Sequence, residues 1–255
     1  MTATAPAATA DLEVDRSSWR GLLVQPVLLA VGVVAFVVWR STASLSDTEA
    51  RQLGWSALWS SVLEHLALTA AGGVLVLLIA VPLGVALTRR GLRRLSPVVL
   101  AVANIGQAAP AIGLFVLLAT WLGFGFRTAV VTLVVYAALP VLRNTMVGIT
   151  EVDQRLVEAG RGMGMSAAAV LFRVELPLAV PVMLAGVRTA LVLLVGTATL
   201  ATFVDGGGLG LLITTGINLS LDTLLVSGAV LVALLALFVD WLGRVVEHVA
   251  RPKGL

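Results

Sequence analysis

The chain has 255 residues, 59% of them hydrophobic and 12% charged, and a mean hydropathy of +1.03. Soluble domains are about 45–50% apolar and about 25% charged, so this chain has too little polar side chain to coat a globule in water. The net charge is only +3 despite a pI near 10.5, with the arginines set between apolar runs, which excludes a nucleic-acid-binding surface; with no cysteine there are no disulfides, thiol chemistry or cluster ligation.

Residues 1–20 are rich in Ala and Thr and carry Asp11, Glu13 and Asp15. They lack the cationic start of a secretory signal, and the expectation is a flexible cytoplasmic N-terminus before an uncleaved anchor. A bilayer core takes about 20 apolar residues as helix, and charge-free runs supply about six such spans. The first is Leu22–Trp39, within a segment 21–64 that includes an outer loop. The second is Leu66–Thr88, preceded on the outer side by Trp55 and Trp59. Leu95–Phe126 is too long for one crossing, so the third span is placed at 97–121. Thr128 to Gly148 forms the fourth, with Arg143 within reach of the headgroups. Leu178–Val204 is the fifth and Thr223–Gly243 the sixth; between them Leu211–Ser220 is too short to cross and reads as an interfacial or re-entrant helix. The expected fold is an all-α polytopic membrane bundle with a core domain at 65–243 and a cytoplasmic tail at 244–255.

With the N-terminus inside, the inner loops hold 13 basic residues (Arg16, Arg20, Arg89, Arg90, Arg93, Arg94, Arg143, Arg155, Arg161, Arg173, Arg244, Arg251, Lys253) and the outer loops 3 (Arg40, Arg51, Arg127). The positive-inside rule then puts both termini in the cytoplasm of a plasma or inner membrane.

Several chemistries are excluded. Lys253 is the only lysine, so no G-x-x-x-x-G-K-[ST] phosphate loop exists. His65 and His248 fall at opposite membrane faces, which leaves no histidine metal site or triad, and no enzyme activity is expected. Ion-coupled transporters usually carry a carboxylate near the midplane; here Glu64, Asp205, Asp222 and Asp240 fall near span ends. Transport energy is therefore expected from another subunit. Arg188 lies inside the fifth span, either snorkelling to the cytoplasm or serving as a pore-lining or interhelix contact.

The inner loop 150–177 is the longest charged segment between spans. Thr150 and Asp153 have capping-box spacing, which predicts a helix running to about Arg161. Gly162 and Gly164 permit a sharp turn, Ser166 is a good N-cap for a second helix, and Pro177 is expected to close that helix and open the fifth span. Met165, Ala169 and Phe172 place apolar groups on this loop. They either pack on its first helix or fill a partner's groove.

Glu158-Ala159-Gly160, then Gly164, then Val174-Glu175-Leu176-Pro177 resemble the E-A-A-x3-G-x9-I-x-L-P loop of ABC-importer permeases, with Gly160 for Ala and Val174 for Ile. The resemblance implies the type I ABC importer permease fold. It also implies that this loop docks on a separate ATP-binding cassette ATPase dimer, with Glu158, Ala159, Gly160, Gly164, Met165, Phe172, Leu176 and Pro177 as coupling positions. ATP and Mg would sit in that partner, with no cofactor in this chain. Asn104 to Gly113, Leu139 to Asn144, Gly186 to Ala190 and Gly206 to Gly210 are similar to osmoprotectant permeases, over about 65–243. They imply glycine betaine, choline or carnitine as solute, a second permease copy or homologue, and an extracellular solute-binding protein. A permease for another solute such as an amino acid, or an ATP-independent channel, are the alternatives.

Asn104, Gln107 and Pro110 interrupt an apolar span and read as a kinked, path-lining helix or as interhelix hydrogen bonding. Thr197, Thr199 and Thr202 likewise line the path or pack. Tyr136, a further candidate for the substrate path, is the single tyrosine, so no aromatic cage for a quaternary ammonium is visible. Asp205, Gly206, Gly207 and Gly208 form a flexible outer loop, read as an outer gate or a simple surface turn.

Overall fold

The computed structural model describes residues 19–250, with side chains from Leu22 onward. The predictions for residues 1–18 and for Arg251 and Lys253 lie outside the described residues. Every regular element among these is helical. Helix α1 (Trp19–Thr42) leads through the short α2 (Asp47–Gln52) to α3 (Trp55–Thr88). Then come α4 (Ser96–Ala108), α5 (Ala111–Leu122) and α6 (Phe126–Thr150). Two short helices, α7 (Gln154–Gly162) and α8 (Ala167–Val170), precede α9 (Leu176–Ala198), and α10 (Gly210–Leu219) and α11 (Asp222–Ala250) complete the chain.

Among the described residues, five helical segments are long and apolar enough to cross a bilayer, and the bent pair α4–α5 makes a sixth crossing if taken as one span. Their outward faces are apolar: Leu23, Val24 and Val31 on α1 and Leu78 on α3 are each at least 60% exposed. Hydrocarbon tails are as apolar as these side chains, so the exposure carries no hydrophobic cost there, and specific packing must hold the helices together.

That packing centres on α3, α6 and α9, where Leu68, Val76, Leu133, Ala137, Val141, Leu194 and Ala198 form a buried core. Small residues let the backbones approach. A methyl group on Gly186 would stand 2.5 Å from Asn144 Cβ and 2.8 Å from the Pro140 carbonyl, and one on Gly84 2.8 Å from Thr145 Cβ. Helix α1 packs along α11: Gln25 Nε2 donates to the Leu237 carbonyl at 2.9 Å, and Trp241 Nε1 to the Leu22 carbonyl at 3.1 Å.

Three sequence expectations are corrected. The third span is not one helix over 97–121: α4 and α5 meet at a 102° bend. Proline disfavours helical backbone in the residue before it, and Ala109 is extended at φ −62°, ψ 143°, with Pro110 capping α5. The loop helix does not start at Thr150. That hydroxyl donates back to Met146 and Val147, closing α6, and Asp153 caps α7 by accepting the Arg155 amide at 2.9 Å. Nor does Pro177 close the second loop helix. A π-turn at Leu171–Glu175, with Leu176 N–H donating to the Leu171 carbonyl, widens the helix just before the proline ring, and Ala167–Val204 runs on as one span.

Candidate functional site

Arg89, at the C-terminal end of α3, meets Glu175, while Glu64, near the start of α3, meets Gly208. The end of the bundle expected to be cytoplasmic carries the loop between α6 and α9. Gly164 takes φ +83°, a conformation open to glycine, and reverses the chain; Gly162, also expected at the turn, is helical. Ser166 caps α8 by accepting the Ala169 amide at 3.2 Å. The loop then divides into two faces. Val152, Val157 and Val170 are buried, with Met165 and Val174 packed against them. Gly160 is buried among Met165, Val170 and Val174, and a methyl there would make ordinary contacts at 3.5 Å or more, so alanine fits the site. Glu158 and Ala159 face outward, as do Met163 and Phe172, 72% and 67% exposed. Of the two roles for the apolar residues, Met165 takes the internal one and Phe172 stays free of the loop. Leu176 is half-buried and Pro177 exposed at the start of α9.

Glu175, the residue inside the motif's variable position, is 7% exposed and accepts from Arg89 Nη2 at 2.5 Å. Arg89 is the C-cap of α3, so this pair ties the C-terminal end of α3 to the root of the loop. The sequence shows Arg89 only as one of a basic cluster and Glu175 only as a motif residue, because the partners stand 86 positions apart.

Gln107, Thr197 and Thr199 line one cleft of about 600 Å³ together with Thr189, Gly196 and the apolar Val192, Leu193 and Leu200. Its volume lies in the range of small-molecule sites, about 300–1,000 Å³. The break after α4 ends one wall: Pro110 lies three residues past Gln107. Asn104 is exposed on α4 and Tyr136 half-buried on α6, and neither lines this cleft. The hydroxyls of Thr197 and Thr199 donate to the Leu193 and Gly196 carbonyls of their own helix, leaving their oxygens as acceptors. Arg188 is drawn elsewhere. Its Nε meets Asp240 at 3.1 Å and its Nη1 meets Glu247 at 3.2 Å, while Asp240 also accepts from Arg244 and Gln25. Arg188 thus makes an interhelix contact in which two carboxylates on α11 compensate its half-buried charge.

The Asp205–Gly208 loop is tied to α3 by hydrogen bonds. Asp205 is left-handed at φ 57°, and Gly207 and Gly208 have φ +79° and +89°. The Gly208 amide donates to Glu64 Oε2 at 3.0 Å and the Leu209 amide to His65 Nδ1 at 3.3 Å. With Nδ1 accepting, Nε2 carries the ring proton and donates to the Val195 carbonyl at 2.9 Å. A methyl on Gly206 would stand 2.9 Å from Ala129 and Ala201. The adjacent pair Glu64–His65 thus seats a loop more than 140 residues away, which no local signal marks.

A bundle whose third span breaks beside a mostly apolar cleft dotted with hydroxyls, with an exposed two-faced loop at one boundary, has the build of a membrane permease. The chain belongs to the family of binding-protein-dependent transport system inner membrane components, which matches residues 80–251. It is 42% identical over 192 residues to the glycine betaine/carnitine/choline transport system permease protein OpuCB of Bacillus subtilis, covering 75% of this chain and 88% of that one. It is 38% identical over 203 residues to the osmoprotectant import permease protein OsmW of Salmonella typhimurium, covering 78% and 94%. Among solved structures it matches the inward-facing MetNI methionine ABC transporter, with a TM-score of 0.68 and 27% identity over 82% of this chain and all of that one. The type I ABC importer permease fold expected from the motif is therefore present.

Proposed function

We propose that this chain forms half of the membrane path of an ABC importer for quaternary-amine osmoprotectants of the glycine betaine, choline and carnitine kind. The relatives near 40% identity carry those solutes in their names, whereas the methionine transporter stands at 27%. An uptake panel of betaine, choline, carnitine and methionine separates the two solute classes. A second permease copy or homologue completes the path around the Gln107–Thr197–Thr199 cleft, and an extracellular binding protein delivers solute. The outer loop at Asp205 to Gly208 acts as the gate beneath it. The excess of arginine at the loop end puts that end, and both termini, in the cytoplasm. ATP and Mg act in a separate ATPase dimer.

The outward face of residues 154–172 carries this reading. Its inner side is satisfied by Val157, Gly160 and Val170, so exposed Phe172 and Met163 remain for a groove on the ATPase, with Glu158 able to meet cationic or N–H groups there. Glu158→Arg and Phe172→Asp are expected to cut uptake and ATPase co-purification at least tenfold, about 1.4 kcal/mol of docking energy. Gly164→Val forces a β-branched residue to positive φ and is expected to cost about 1–2 kcal/mol of loop stability. Unchanged uptake and unchanged ATPase association in all three variants would defeat the proposal.

A further inference from the structure

We propose that a cavity at the loop end of the bundle, between the ends of α3 and α6 and the start of α4, binds the phosphate group of an anionic phospholipid. The cavity has a volume of about 280 Å³, and Thr88, Arg93, Ser96, Arg143 and Thr150 supply its polar wall. Leu87, Leu100 and Val147 continue that wall in apolar side chains, as a site shared by a headgroup and the root of an acyl chain requires.

Charge selects the ligand. The described ion pairs of arginine involve Arg89, Arg188 and Arg244, and neither Arg93 nor Arg143 meets a carboxylate among the described residues. Neighbouring Arg89 is neutralised by Glu175, while Arg90 and Arg94 add exposed positive charge and Glu151, next to Thr150, one negative charge. The hydroxyls of Thr88, Ser96 and Thr150 already donate to helix carbonyls at Val85, Arg93 and Met146. The donors left for a ligand are the two guanidinium forks, whose geometry suits phosphate oxygens. The cavity lies where the spans end, at headgroup depth, and basic pockets between transmembrane helices at this depth hold anionic lipid headgroups.

The inference rests on membrane placement and not on the transported solute, so it is tested without ATPase or uptake. The full chain is placed in nanodiscs of phosphatidylcholine with a minority of phosphatidylglycerol, and retained lipid is counted by native mass spectrometry. Arg93→Gln and Arg143→Gln are each expected to weaken phosphatidylglycerol retention about fivefold, and together about 25-fold. The charge-matched pair Arg155→Gln with Arg161→Gln, outside the cavity, is expected to leave it unchanged. Retention equal to wild type in the Arg93/Arg143 double variant, or an equal loss in the control pair, would overturn the site. In discs of phosphatidylcholine alone, inorganic phosphate is the probe. Saturable binding lost on removing both arginines, together with displacement of phosphatidylglycerol, would assign the site to free phosphate and overturn the lipid. No such binding supports it. The single variants, checked as monodisperse, keep the test valid if the double variant fails to fold.

Discussion

Glu175→Arg is expected to lower solute uptake by the assembled transporter at least tenfold, and Arg89→Glu combined with it to recover most of that loss. Glu175 is almost fully enclosed and meets Arg89 at 2.5 Å, and the two side chains belong to the root of the loop between α6 and α9 and to the end of α3. A hydrogen bond to a charged group contributes about 1.5–3 kcal/mol. Arg89 keeps 37% of its side chain in contact with solvent, which discounts the figure toward its lower end. Reversal does more than remove the bond, because it sets two guanidiniums against each other with no acid between them. Glu175→Gln, which keeps the shape and loses the charge, is expected to fall between wild type and reversal. The informative readout is the number of ATP molecules hydrolysed per solute moved in proteoliposomes containing the permease, ATPase and binding protein. If the pair carries loop movement into α3, that ratio rises in the variants and returns with the double reversal. A fall in uptake that only tracks protein abundance, with the ratio unmoved, would make the pair a structural tie.

Gly186→Val is expected to destabilise the bundle by roughly 3 kcal/mol or more, at the upper end of overpacking effects. Even one methyl would lie 2.5 Å from Asn144 Cβ, 2.8 Å from the Pro140 carbonyl and 2.9 Å from Asn144 Cγ. Asn144 cannot swing aside freely, since its Nδ2 donates to that same carbonyl at 2.8 Å. The contact lies between α6 and α9, the crossing on which both the cleft and the loop are hung. Gly91→Val, at an exposed position where an added methyl meets nothing within 4 Å, is the control and is expected to stay within about 0.5 kcal/mol of wild type. Thermal unfolding in detergent, followed by the loss of the monodisperse peak, checks both. Equal midpoints for the two variants would show that the α6–α9 approach is looser than these distances say.

The spans were legible because hydrocarbon imposes one requirement on every residue of a crossing helix, and a run of apolar residues meets it locally. The runs Leu22–Trp39 and Thr223–Gly243 follow from that alone, and they fall within the spans Leu22–Thr42 and Asp222–Ala250. The loop was legible for a different reason: Gly164, Ser166 and the Glu158-Ala159-Gly160 step act within a few residues of themselves, so their spacing survives in the sequence. Pro110 announced an interruption, but not a 102° bend, which also needs Ala109 extended and α5 packed against the turn that follows α9. Pro177 misled in the opposite sense, because a π-turn upstream gave its ring room without ending the helix.

By itself, then, the sequence determined a helical membrane subunit, its loop and its charge asymmetry, since each is a property of neighbouring residues or of their sum. Only the tertiary structure decided that Arg188 belongs to Asp240 and Glu247, that Glu64 and His65 seat the outer loop, that Arg89 holds Glu175, and that Arg93 and Arg143 share a cavity. The physical reason is range. Burial in lipid is read residue by residue, whereas a charge or a polar hydrogen finds its partner 59 to 219 positions along the chain, and only the packed helices fix which partner that is.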